Sequence, residues 1–156
     1  MVRPKTRRDS THGHLWRNDH MTIILADMDA YLRGRLRKRL EKVSGVNVVG
    51  ESSNSIETTA MILNRNPDVA IVSSLLEGSS GLDVLRHVRQ LMIPPTIIVV
   101  TNNPSLDNKN AYSVAGADFI CEKVSDDRTV IDTIRRLCVT QHQVDVLASL
   151  IATPNN

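Results

Sequence analysis

The sequence is poor in aromatic residues and in cysteine. Phe, Trp and Tyr together make up 3% of its 156 residues, so a hydrophobic core has to be built from Val, Ile, Leu, Ala and Met. The two cysteines, Cys121 and Cys138, lie in apolar periodic segments, where we expect small buried side chains and no disulfide. The scarcity of cysteine therefore argues against a disulfide-stabilised secreted scaffold.

Long apolar runs are also missing. The apolar segments are far shorter than the roughly 20 residues that a membrane-spanning helix requires. Residues 1–20 contain no continuous apolar stretch of the kind found in secretory signals. We therefore expect no membrane association and a cytoplasmic location.

The net positive charge of the chain comes from its first 20 residues. Residues 1–20 carry five Lys or Arg against two Asp, a net of +3, whereas the whole chain is +2, so residues 21–156 sum to −1. The basic segment is polar and has no hydrophobic period, which is typical of disorder. We predict a disordered basic tail over 1–20, one globular domain over 21–139, and a C-terminal helix and tail over 140–156.

What the sequence does contain is a regular alternation of short apolar strands and amphipathic helices. The predicted strands are 21–26, 46–51, 68–73, 96–101 and 117–123. The predicted helices are 30–43, 55–66, 81–92, 105–116 and 128–141, with 142–152 either prolonging the last helix or adding a sixth. Five strand-then-helix units predict a doubly wound parallel sheet covered on both faces.

In such a sheet, ligands bind beyond the carboxyl ends of the strands. Polar residues and one methionine occupy these positions in the loops that should converge there. They are Asp27 and Met28 after the first strand, Ser73 and Ser74 after the third, Thr101 at the end of the fourth and Lys123 at the end of the fifth. These six residues are the candidate functional site.

The segments around these positions resemble the receiver domain of bacterial two-component response regulators. The resemblance rests on "IILADMDAYLRGRL", "PDVAIVSSLLEGSSGLDVLRHVR", "IIVVT" and "GADFICEK", in this order and spacing, and covers residues 22 to about 139. It implies a flavodoxin-like α/β fold with strand order 2-1-3-4-5, five helices and, in this chain, a C-terminal helical extension.

The resemblance also implies a chemistry that this sequence does not fully support. In the family, an aspartate on the third strand accepts a phosphoryl group, and two acidic residues after the first strand help to hold Mg²⁺. A Ser or Thr on the fourth strand and a Lys on the fifth contact the phosphoryl oxygens. Here Ser73 falls at the acceptor position and Met28 replaces the second acid, whereas Asp27, Thr101 and Lys123 match the family pattern.

We therefore predict a degenerate receiver. A thioether is a poor Mg²⁺ ligand, a serine hydroxyl is a weak nucleophile without an activating base, and we expect Asp29 to cap the first helix. The prediction is a non-catalytic pseudo-receiver without metal or cofactor, in which Lys123 contacts Asp27 and the Ser73 hydroxyl. The alternative for this cluster is a polar remnant that only supports packing.

A pseudo-receiver would act through its surfaces. We expect a signalling kinase or an output protein to bind either the basic first helix or the face formed by the fourth helix, fifth strand and fifth helix. A homodimer is a further possibility, because the apolar segment 144–152 must pack on something. The family's aromatic switch position falls on Ile120.

Two other functions were considered. The chain could be the receiver part of a DNA-binding response regulator whose output domain is absent from this chain, although sequence-specific nucleic-acid binding by the chain itself is not expected, since no helix-turn-helix unit follows residue 139. An enzyme of the nucleotide-binding class is disfavoured because no glycine-rich phosphate loop is present.

Overall fold

The computed structural model describes residues 20–103, 105–123 and 127–152. The predicted disordered tail therefore lies outside the described residues, except for His20. The strands are β1 (Met21–Ala26), β2 (Val46–Ser52), β3 (Val69–Ser73), β4 (Thr96–Thr101) and β5 (Phe119–Glu122). The helices are α1 (Ala30–Glu41), α2 (Ser55–Arg65), α3 (Gly81–Val88), α4 (Leu106–Ala115) and α5 (Arg128–Ala152).

The strands form one parallel sheet in the order β2-β1-β3-β4-β5. This confirms the predicted flavodoxin-like topology. The order reverses at β1, and connections on its two sides place helices on both faces of the sheet. The carboxyl ends of β1 and β3 are neighbours at this reversal, so the loops that carry Asp27 and Ser73 meet there.

Two hydrophobic clusters cover the two faces of the sheet. On one face, α1 and α5 bury Leu36, Leu40 and Ile134 against β1, β3 and β4. On the other face, α2, α3 and α4 pack against alternate residues of the same strands. All five residues of β3 are buried, which explains why this strand reads as a continuous apolar run.

The first four helices begin at polar caps. The side chains of Asp29, Asn54, Ser80 and Ser105 each accept hydrogen bonds from backbone N–H groups in the first turn that follows. Such caps satisfy donors that have no partner within the helix. The prediction that Asp29 caps α1 is confirmed.

Several predicted boundaries are too long, and two of them have a visible cause. Helix α3 ends at Val88 and not at residue 92, because the N–H groups of Gln90 and Leu91 bind carbonyls three residues back, which tightens the chain out of the α-helix. Strand β5 begins at Phe119 and not at residue 117, because Gly116 adopts a left-handed conformation and the Ala117 N–H closes the end of α4.

The C-terminal extension prolongs α5, which runs without a break for 25 residues. Its first half buries Val130, Ile131 and Ile134. None of the helices in the described ranges is both long enough and apolar enough to span a membrane.

Gly81, the first residue of α3, lies directly against the end of β3. A Cβ atom at this position would overlap the carbonyl oxygen of Ser73. The glycine therefore permits the close approach of α3 to the strand that carries Ser73.

We expect Gly81→Ala to lower the free energy of unfolding by about 2 kcal/mol, because the backbone of β3 cannot move away without disturbing the core. Gly34→Ala is the matched control. Gly34 lies within α1 with no atom near its Cβ direction, so alanine should stabilise the protein by up to about 1 kcal/mol. Urea unfolding measures both changes, and equal effects would contradict the assignment.

Candidate functional site

The candidate residues converge at the carboxyl edge of the sheet, as the topology requires. Asp27 follows β1, Ser73 ends β3 and Thr101 ends β4, and all three are buried. Lys123 follows β5, and its backbone N–H donates to the Thr101 carbonyl at 2.8 Å. These four residues thus stand on four neighbouring strand ends.

Asp27 and Lys123 form an ion pair at the centre of this edge. Lys123 Nζ lies 2.7 Å from Asp27 Oδ2, and each side chain is only 10% exposed. The other carboxylate oxygen, Oδ1, accepts the Asp29 N–H at 2.9 Å. Both oxygens of the only carboxylate among the six candidate residues are therefore engaged, and its charge is balanced by one ammonium group.

Arg33 adds a contact that the sequence did not reveal. Its Nη1 donates to the backbone carbonyl of Asp27 at 2.6 Å, and its Nε lies 3.4 Å from Glu51 Oε1. The side chain thus reaches back from the first turn of α1 and fastens the loop after β1. The sequence does show an arginine in the first turn of a helix that follows a strand end. It does not show which way the arginine side chain points, because that depends on how α1 packs.

Ser73 is oriented by its own loop. The hydroxyl oxygen accepts the Leu75 N–H at 3.3 Å, and the residue is 2% exposed. The predicted contact between Lys123 and the Ser73 hydroxyl is not among the hydrogen bonds of the described residues. The predicted partner Asp27 is therefore confirmed, whereas the Ser73 hydroxyl binds the Leu75 N–H of its own loop.

Ser74 is held from the opposite side by α4. Its N–H donates to the Val100 carbonyl at 2.9 Å, and its side chain lies beside the buried Tyr112. Burial raises the pKa of Tyr112, and the Ser74 side chain lowers it by a smaller amount. Tyr112 therefore remains a neutral phenol that links α4 to the loop after β3, a link that no sequence pattern indicated.

Among the described side-chain hydrogen bonds, none joins Thr101 or Met28 to the Asp27–Lys123 ion pair. The Thr101 hydroxyl accepts the Asn103 N–H at 3.1 Å, within the loop that leads to α4. Met28 is 46% exposed, so it lies at the protein surface. The six candidate residues thus lie at one edge, but only Asp27 and Lys123 form a direct side-chain bond.

Acidic side chains that could replace the missing carboxylates have other partners. Asp29 caps α1. Glu77 accepts from the Ser53 hydroxyl at 3.2 Å beside the loop after β2. Asp68 binds the backbone and hydroxyl of Thr22 at the amino end of the sheet. In the described ranges, no group of three or more His, Cys, Asp or Glu is arranged to hold a metal ion.

Residues 23–135 match the family model of the response regulator receiver domain. The chain belongs to this family. Receiver domains are signalling modules, and the resemblance inferred from the strand-end motifs is confirmed.

Individual relatives agree with this assignment. The chain is 26% identical over 119 residues to a nitrate/nitrite response regulator protein homolog of Haemophilus influenzae, covering 76% of this chain and 57% of that protein. It is 29% identical over 115 residues to the transcriptional regulatory protein LiaR of Bacillus subtilis, covering 72% and 54%. The chain therefore spans about half the length of the curated relatives it matches.

Solved structures show the same fold. The signal receiver domain of the putative response regulator NarL from Mycobacterium tuberculosis has a TM-score of 0.71 at 20% identity, covering 76% of this chain and 96% of that one. A CheY-like receiver domain protein from Methanospirillum hungatei has a TM-score of 0.69 at 23% identity, covering 80% and 98%.

The strand-end residues of this receiver domain do not fit the Mg²⁺ ion that the family chemistry uses. Mg²⁺ requires oxygen ligands in octahedral geometry, and the position beside Asp27 offers a thioether. The cavity beneath the ion pair, lined by Leu36, Ser73 and Asp127 among others, measures about 10 Å³, which is room for one water molecule at most. A metal would have to displace the lysine from the carboxylate.

We expect Lys123→Met to destabilise this receiver domain by about 3 kcal/mol, because it leaves the Asp27 carboxylate buried without its partner. The double variant Asp27→Asn/Lys123→Met removes both charges and should recover most of the loss. Urea unfolding of the two single variants and the double variant gives the coupling energy. Additive effects would show that the pair is not coupled.

Proposed function

We propose that this chain is a pseudo-receiver, a receiver domain that acts as a protein-interaction module in signalling without aspartyl phosphorylation. The observation that carries the proposal is the state of Asp27. Its two carboxylate oxygens bind Lys123 and the Asp29 N–H, and a buried serine stands at the acceptor position. The proposal includes the absence of enzymatic activity and of a cofactor.

The charge at the strand ends supports this function. Phosphoryl transfer depends on positioning and on neutralising the charge of the transferred group, which a metal ion normally supplies. Here one carboxylate faces one ammonium group at 2.7 Å. Because both groups are largely buried, breaking this pair to admit a metal would leave an unpaired charge and cost several kcal/mol.

Ser73 is a poor substitute for the missing aspartate. A hydroxyl needs a neighbouring base to become a nucleophile, and its recorded partner is the backbone N–H of Leu75. His87 is exposed on α3, with a ring nitrogen 2.7 Å from the Asp83 carbonyl. The imidazole therefore binds its own helix on the surface.

The α1 surface is less positive than its sequence indicates. Its basic residues are Arg33, Arg35, Arg37, Lys38, Arg39 and Lys42. The four arginines all form ion pairs with acidic groups of this chain, namely Glu41, Glu51 and Asp127. These pairs reduce the attraction of α1 for an acidic partner.

The face formed by α4, β5 and α5 is the better proposed docking surface for a kinase or an output protein. It exposes large apolar side chains, including Val114, Phe119 and Val139. Exposed apolar groups at protein surfaces are common singly but mark binding sites when they cluster. The contact between Tyr112 and Ser74 joins this face to the strand ends.

A second function has support from the relatives. LiaR is a transcriptional regulatory protein, and a structural neighbour from Staphylococcus aureus is a DNA-binding response regulator of the LuxR family. This chain covers about half of such curated relatives, so it could be the receiver part of a DNA-binding regulator. Sequencing the reading frame beyond residue 156 distinguishes the two functions: a helix-turn-helix segment in frame would favour the regulator.

Phosphorylation by a small donor tests the principal proposal. We expect incubation with acetyl phosphate and Mg²⁺ to leave the intact mass unchanged, because no carboxylate stands at the acceptor position. Met28→Asp/Ser73→Asp restores the family's acidic residues and should gain one phosphoryl group. Met28→Asp/Ser74→Asp, which adds the same two charges but places the second one residue away, is the matched control and should gain none.

Mass spectrometry after rapid quenching at acidic pH measures the result, since acyl phosphates survive best there. A phosphoryl group on the unchanged protein that Ser73→Ala removes would overturn the proposal. Phosphorylation of the Met28→Asp/Ser74→Asp variant would show that the acceptor has been placed at the wrong residue.

A further inference from the structure

The second half of α5 carries large apolar side chains that nothing in the described structure covers. The helix leaves the core after Ile134, yet it continues to Ala152. Beyond this point six apolar residues are between 45% and 85% exposed. They are Val139, Val144, Val146, Leu147, Leu150 and Ile151.

Several of these residues form one stripe along the helix. Leu137, Val144, Leu147 and Ile151 are spaced by seven, three and four residues, which is the spacing of alternate a and d positions in a heptad repeat. Leu137 is partly buried against the core cluster of α1 and α5, so the stripe starts at the domain and continues outward. Thr140 occupies the remaining d position.

The geometry points to a parallel two-stranded coiled coil between the 137–151 segments of two copies of this chain. Two of the three a positions, Val144 and Ile151, are β-branched and the d position Leu147 is leucine, the combination that favours two parallel strands. The segment extends over about 22 Å at 1.5 Å per residue. This inference goes beyond the proposed function, because it does not depend on the loss of phosphorylation.

The charge of the segment favours a second copy over a charged partner. Asp145 is the only Asp, Glu, Lys or Arg from 137 to 152, and it falls at a b position, outside the seam. Two identical helices bring identical charges, so a neutral seam avoids repulsion between the copies. Gln141 and Ala148 at e and Gln143 at g add no charge along the edges of the seam.

Two valines of α5 make a matched pair for the test. Val144 lies at an a position within the seam, and Val146 lies at a c position on the outer side of the helix. They are exposed to a similar extent in the single chain, 53% and 45%. Only the heptad register distinguishes them.

Light scattering after size exclusion tests the inference with the full chain. We expect the unchanged protein to have about twice the chain mass of 17.3 kDa, Val144→Glu to fall to one chain mass, and Val146→Glu to keep the doubled mass. Circular dichroism and urea unfolding check that both variants stay folded. A monomeric unchanged protein, or equal loss of the dimer in both variants, would overturn the coiled coil.

A cysteine placed in the seam tests the parallel register. In a Cys138→Ser background, Leu147→Cys places two identical d positions opposite each other, so mild oxidation should join the chains. Val146→Cys in the same background should not form a disulfide-linked dimer. The Cys138→Ser protein alone is the negative control, because burial raises the pKa of its remaining thiol, Cys121, and so disfavours its oxidation. A dimer that Leu147→Cys does not link would contradict the parallel arrangement.

Discussion

The ion pair between Lys123 and Asp27 is the interaction on which the carboxyl edge of this receiver domain depends. It joins the loop after β1 to the loop after β5 across the ends of β3 and β4, at a distance of 2.7 Å and with little solvent around it. Arg33 fastens the same loop through the Asp27 carbonyl. The edge is therefore closed by its own charges, where the family chemistry would use a metal and a phosphoryl group.

This chain and a family member with the full acidic set differ in the number of charges at the carboxyl edge of the sheet. A family member with three carboxylates and one lysine at this edge has excess negative charge, which a divalent cation can balance. Replacing two of the carboxylates by Met28 and Ser73 leaves a neutral pair. The same scaffold therefore keeps its backbone geometry with a balanced pair of charges at this edge.

Most of the fold could be predicted from the sequence, because each strand and helix is specified by local pattern. Strand β1 and strand β4 were placed with their full bounds, and Asp29 was recognised as a cap. Errors arose where distant geometry decides the outcome. The short β5 depends on how Gly116 ends α4, and the direction of Arg33 depends on how α1 packs. The contact between Tyr112 and Ser74 joins residues 38 positions apart, which no periodicity reveals.

The unbroken course of α5 has a mechanical consequence. Its buried half is anchored in the sheet through Ile134, and its outer half ends roughly 27 Å further on, at 1.5 Å of rise per residue. A stiff rod converts a small tilt at its anchored base into a much larger displacement at its tip. Any event that shifts the packing around β5 would be amplified at Ile151.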